Sequence, residues 1–144
     1  MTKCRDIMTK DPVVCTPNDT VDRVAQVMKW EDVGPVPIVD DAVTRRLLGI
    51  VTDRDLALKI VAEGREPKRT RVEEVMTLNP VNCRPDDDIE EALEAMEKHQ
   101  LRRLPIVDEE NCLVGIIAQA DVARKLDSND TADLVQEVSE PARP

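Results

Sequence analysis

Thr52, Arg54 and Asp55 fall within the stretch GIVTDRD, residues 49–55. A hydroxyl, a guanidinium and a carboxylate stand close together there, behind Gly49 and the apolar pair Ile50 and Val51. Such a set suits a phosphorylated diol. An ionised carboxylate has enough lone pairs to accept both hydroxyls of a cis-diol. A helix N-terminus turns free N–H groups and the positive end of its dipole toward phosphate. Thr52 would add a hydroxyl donor and Arg54 a phosphate partner. The same residues also read as a plain helix start, with Thr52 and Asp55 spaced as a capping box. Residue chemistry leaves both readings open.

A second stretch, GIIAQAD at residues 115–121, keeps Gly115 and Asp121 but has Ala118 where the first has Thr52. Arg102 and Arg103 precede the apolar run LPIV, at positions where the first repeat has Gly34 and Pro35. From the residues alone, two adjacent arginines read as solvated surface side chains, the usual fate of arginine. Other chemistry finds little support. Cys4, Cys15, Cys83 and Cys112 form no CxxC pair and His99 is the only histidine, so neither a zinc site nor a nucleophile–base pair is expected. The cysteines read as small core residues, with an encounter between Cys15 and Cys83 left open.

The elements that must position these residues come in two sets. Met8, Thr9, Pro12, Val13, Cys15, Pro17, Met28 and the run Pro37–Asp40 each recur 68 residues further on. After Asp40 the offset falls to 66, because the first repeat has two more residues in the loop DDAVTRR. PVVC and PVNC read as short strands. NDT and DDD supply capping residues. Val21, Val24, Ala25 and Met28, then Ile89, Ala92, Leu93 and Met96, predict one apolar face on each of two helices. VPIVD with LLGIV, and LPIVD with LVGII, predict antiparallel strand pairs. Asp55 and Asp121 lie in the first turn of a following helix, where a carboxylate suits the dipole. The order is β-α-β-β-α, twice. A repeat of this size buries too little surface to be stable alone, so an α/β module with the two sheets packed together is predicted.

This ordered double set resembles a tandem pair of CBS domains, a Bateman module, in the stand-alone form common in bacteria. DIMTKDPVVCTPNDTV, VGPVPIVDD and LLGIVTDRDL carry the resemblance in the first repeat; EVMTLNPVNCRPDDDI, HQLRRLPIVDEE and LVGIIAQADV carry it in the second. The organisation expected is repeat 1 at 4–62, a linker at 63–71 that serves as hinge, repeat 2 at 72–126, and a short helix near 131–139 with a tail in 127–144. The resemblance implies a regulatory module rather than an enzyme, with no required cofactor; the alternatives are a ligand-free protein-interaction module, in which both helix starts are only caps, and a nucleic-acid binder. The regulatory module's ligand would be AMP, ADP, ATP or S-adenosylmethionine, and a homodimer would pass ligand state to a protein effector. The family motif marks Thr52 and Asp55 in the first repeat, with Ile50 and Arg54 beside them as expected site residues. In the second it keeps Asp121 but meets Ala118, and Arg102 and Arg103 stand where the family often places phosphate-contacting basic residues. The two sites are expected to be unequal.

Composition narrows the partners. A net charge of −10 disfavours nucleic acid, which needs a basic face. No run approaches membrane-spanning length and the N-terminus lacks an apolar leader, which points to the cytoplasm. Trp30 is the only aromatic residue. A bound base would therefore lie against Val, Ile, Leu and Pro. Trp30 itself reads either as a cover for the core or as part of a dimer contact.

Overall fold

The computed structural model describes the backbone of residues 1–138 and the side-chain surroundings of residues 1–128. The first half contains α1 (Cys4–Ile7), β1 (Thr9–Lys10), α2 (Val21–Glu31), β2 (Pro35–Val39), β3 (Leu47–Thr52) and α3 (Asp53–Leu56). The second contains β4 (Thr77–Leu78), α4 (Ile89–His99), β5 (Arg103–Val107), β6 (Leu113–Ala118) and α5 (Gln119–Val138).

Helical spacing of apolar residues decides what α2 and α4 bury. Val21, Val24 and Met28 are buried on α2, and Ile89, Ala92 and Met96 on α4. Ala25 is exposed, while Val27 packs partly against the core. Both helices end at a left-handed residue, Asp32 and Gln100, with φ of 54° and 55°. Val33 N–H then donates to the Met28 carbonyl and Leu101 N–H to that of Met96, at 3.1 and 2.8 Å. These are Schellman-type closures made without glycine. The expected side-chain caps are not formed at the other end: neither Thr20 nor Asp88 caps its helix. The first amides are satisfied by distant backbone instead, Val21 N–H by Thr70 C=O and Ile89 N–H by Thr2 C=O. Asp19 and Asp87 brace the preceding turns, each accepting a 2.8 Å bond from Thr16 N–H or Arg84 N–H.

The strand pairs β2–β3 and β5–β6 are antiparallel hairpins, with Pro35 opposite Thr52 and Arg103 opposite Ala118. Each hairpin takes its third strand from the other repeat. The sheets run β2-β3-β4 and β1-β6-β5. Thr9 and Lys10 pair with Ile116 and Gly115, and Leu78 and Thr77 pair with Gly49 and Ile50. This exchange explains the motif glycines. A Cβ on Gly49 would stand 2.7 Å from the Thr77 carbonyl oxygen, and one on Gly115 would stand 2.6 Å from Met8 Sδ. A side chain at position 49 would meet fixed backbone, and one at 115 would have to displace the Met8 thioether.

The exchange extends to the cores. Cys4 of α1 is buried with Ile89, Leu104, Ile106 and Ile117 of the second repeat. Val72 and Val75 are buried with Val24, Ile38 and Val51 of the first. Val39, Leu47, Val107 and Leu113 form a third cluster that joins the two hairpins. The result is the expected α/β pair of sheets, held together by more than face-to-face packing.

Other expectations are corrected as well. PVVC and PVNC are not ladder strands: Cys15 and Cys83 each make one isolated parallel bridge, to Ile38 and Ile106. Proline has no N–H to give a ladder, and Pro12 and Pro80 stop the pairing begun at β1 and β4. The short helix near 131–139 is absorbed into the continuous α5 as far as Val138, and residues 139–144 lie outside the described residues. Cys15 and Cys83 belong to separate cores, and it is Cys4 that shares a core with Cys83. Trp30 does not cover the core; it is 66% exposed, with Arg23 stacked 5.7 Å from its ring centre.

The stretch 63–71, expected as a linker, is tied to the first repeat at its end. Thr70 is buried, its hydroxyl donates to the Glu66 carbonyl at 2.8 Å, and its own carbonyl holds the start of α2. After α3 the predicted second helix of repeat 1 continues as a wider π turn over Ala57–Val61, with Ala62 N–H bonded to Ala57 C=O.

Candidate functional site

A cavity of about 420 Å³ opens where the end of β6 and the start of α5 face the beginning of β2. Pro12, Val13, Val33, Pro35, Pro37 and Ile116 form its apolar walls. Asp11, Glu31, Arg103 and Asp121 carry the charges around it, with Thr9 and Ala118 also lining it. The fold assembles this set from both repeats. Thr9 and Ile116 are opposite one another in the exchanged ladder, which brings the Asp11–Val13 segment onto the second sheet. Arg103 is opposite Ala118 in the β5–β6 hairpin, so guanidinium and helix start share one end of that sheet. Asp121 is half-buried, and its Oδ1 lies 2.7 Å from Arg124 Nη2.

The first repeat's motif is closed on itself. Thr52 N–H donates to Asp55 Oδ2 at 2.9 Å, and Asp55 N–H donates to Thr52 Oγ1 at 3.1 Å, a complete capping box. Lys59 Nζ lies 3.6 Å from Asp55 Oδ1 and also donates to the Val75 carbonyl at 2.9 Å. Among the described residues the Thr52 hydroxyl donates to no acceptor, so a donor remains. Ile50 is half-buried in β3 opposite Pro37 and Thr77. Arg54 is exposed.

The sequence-selected residues thus divide. Arg103 and Asp121 line the 420 Å³ cavity, whereas Ile50, Thr52, Arg54 and Asp55 do not. Arg102 also lies outside it; its side chain is exposed and its carbonyl accepts from Gln119 N–H at 2.9 Å. Sequence reasoning missed Asp11 and Glu31, and it expected proline walls by residue type without naming Pro12, Pro35 or Pro37. Their signal was available in part, since Thr9, Pro12 and Val13 all recur in the second repeat. What was missing was the strand exchange that carries them to the other sheet.

Among the described residues no three metal-ligating side chains gather to hold an ion. Burial pushes the Cys4 thiol up to about 12 and those of Cys15 and Cys83 up to about 11, the values of inert core thiols. No helix of the described residues is long and apolar enough to cross a membrane.

Comparison with known proteins bears on the whole chain. The family model for the CBS domain matches residues 4–62 and 72–128. The chain is 42% identical over 132 residues to CBS domain-containing protein YhcV of Bacillus subtilis, covering 92% of this chain and 91% of that one. Among solved structures it is similar to CBSX2 in complex with AMP, with a TM-score of 0.74 and 28% identity over 88% of this chain and 96% of the other. It is equally similar in extent to the CBS domain pair of protein MJ0100, solved with 5′-methylthioadenosine and S-adenosylmethionine, with a TM-score of 0.77 and 28% identity. With both repeats matched and their sheets interlocked, the chain belongs to the CBS-domain family as a tandem pair, the regulatory unit known as a Bateman module.

Proposed function

We propose that this protein senses an adenosine-bearing small molecule, of the class of AMP, ADP, ATP or S-adenosylmethionine, and passes its binding state to a protein effector. The observation that carries this reading is the cavity at the start of α5, where an acid in a helix's first turn faces apolar walls of nucleoside size. Asp121 would accept the ribose hydroxyls, as a carboxylate can for a diol. Proline and aliphatic surfaces would hold the base in place of aromatic rings. Related CBS pairs in complex with AMP, and with 5′-methylthioadenosine and S-adenosylmethionine, support the ligand class.

The mechanism is a population shift. The cavity walls come from both repeats, so a ligand there bears on their relative position. A differential affinity worth about 1–3 kcal/mol is enough for useful coupling. A homodimer would give that shift a readable form. Leu58 and Val61, 51% and 76% exposed on the π turn after Asp55, offer apolar surface to a second copy.

The closed capping box favours a second reading for the first repeat. There Thr52 and Asp55 act as a helix cap, and ligand binding would first have to displace Lys59 from the carboxylate. One experiment tests both: thermal melting of the wild type, Asp121→Ala and Asp55→Ala with a panel of adenosine compounds. The expected result is a ligand-induced rise in the wild type that Asp121→Ala abolishes. A panel in which no adenosine compound raises the melting point overturns the sensor reading.

A further inference from the structure

The charges around the Asp121 cavity are unbalanced, and this bears on ligand class if the ligand-binding reading above holds. Three carboxylates, Asp11, Glu31 and Asp121, stand against the single guanidinium of Arg103. Counting Arg124, which is paired with Asp121, still leaves the rim acidic. Arg103 is itself turned back toward the Arg102 carbonyl, at 3.4 Å. Where the first repeat has the hydroxyl of Thr52, this one has Ala118. The other repeat differs at the same places: by its offset of 68, Asp11 corresponds to Asn79 and Glu31 to His99. The carboxylates of Asp11 and Glu31 therefore belong to this cavity and have no counterpart in the other repeat.

We infer that the Asp121 cavity selects an adenosine compound that carries no phosphate and bears a neutral or positive substituent, such as a sulfonium. Phosphate placed among these carboxylates would lose hydration and meet like charge, whereas a cation there is attracted. The walls supply apolar contact to either ligand, so the charges decide between them. The cavity discriminates by repulsion as much as by attraction.

Calorimetric titration at low ionic strength with S-adenosylmethionine, adenosine, AMP and ATP tests this. S-adenosylmethionine should bind at least about tenfold more tightly than AMP, with ATP weakest. The gap should narrow in 1 M salt, where the screening length falls to about 3 Å. In the double variant Asp11→Asn/Glu31→Gln the two affinities should converge. Both side chains are exposed, and asparagine tolerates the left-handed backbone at position 11, where φ is 47°. Ala118→Leu should fill the cavity and remove binding of S-adenosylmethionine while the protein still melts cooperatively. AMP binding as tightly as S-adenosylmethionine in the wild type overturns the inference and leaves the sensor reading standing. A preference that survives the double variant, or that persists in a folded Ala118→Leu protein, also overturns it. Absence of binding by every compound overturns both readings together.

Discussion

Two helix starts of common design have diverged in opposite directions. At Thr52–Asp55 the hydroxyl and the acid satisfy each other's backbone amides, and Lys59 sits over the remaining carboxylate oxygen. At Ala118–Asp121 the hydroxyl is gone, the acid is paired with the exposed Arg124, and a cavity opens in front of it. The repeat that matches the ligand motif fully is therefore the one whose groups are engaged within the chain. The one that departs from it has the space. A motif match reports residue types, while availability depends on what those residues already bond.

The sharpest way to break this comparison is to remove each acid in turn. Asp121→Ala should lower affinity for an adenosine ligand by at least about a hundredfold, since two charge-assisted hydrogen bonds at roughly 1.5–3 kcal/mol each would be lost. At ligand near 100 times the dissociation constant, the wild type gains about 2.7 kcal/mol. For a chain of this size that is a melting rise of very roughly 5–10 °C, which the variant should lose. Its unliganded melting point should hardly move, because the Arg124 pair is exposed. If Asp55→Ala removes the rise and Asp121→Ala does not, the ranking of the two sites is reversed.

Core truncations should be blind to this asymmetry. Ile38 and Ile106 are fully buried at equivalent positions. Ile38→Ala and Ile106→Ala should each cost about 2–5 kcal/mol, measured as a shift in urea midpoint. Because strands are exchanged, either should unfold the whole pair in one transition. Two separate transitions would show that the repeats are stable apart.

Moving the hydroxyl between repeats is a gentler test. Thr52→Ala should cost about 0.5–2 kcal/mol of stability through the lost cap. Ala118→Thr should build the missing box with Asp121 and stabilise by a similar or smaller amount. It should also weaken ligand binding, since a capped Asp121 has fewer free lone pairs. Tighter binding by Ala118→Thr would mean that the hydroxyl serves ligand rather than helix.

A last expected effect is alkaline. Burial raises the thiols of Cys4, Cys15 and Cys83 to about 12, 11 and 11, against an ordinary value of about 8.5. Between those limits the unfolded chain releases protons that the folded chain keeps. The stability these thiols confer is thus complete below pH of about 8.5 and declines as pH rises toward the folded values. Urea midpoints at pH 7.5, 9 and 10.5 should fall in order. Replacing Cys4 and Cys83 together by alanine should flatten the trend more than replacing Cys15. An unchanged slope in all variants would assign the decline to other groups.

Much of the architecture was legible in the residues. The 68-residue recurrence, the helical spacing of Val21, Val24 and Met28, and the alternating strand pairs follow from local periodicity, which is set by backbone geometry. The capping box at Thr52 and Asp55 was equally legible, because its partners are three residues apart. What no local pattern carried was the exchange of β1 and β4, since a two-residue strand has no period to read and its partners lie far along the chain. That exchange sets backbone against Gly49 and the Met8 side chain against Gly115, and it brings Asp11 to Arg103 and Asp121 across the repeat boundary. The sequence by itself determined the two repeats, their helices and hairpins, and which acids stand at helix starts. Only the tertiary structure decided which of those acids faces an open cavity, because that depends on where distant backbone comes to rest.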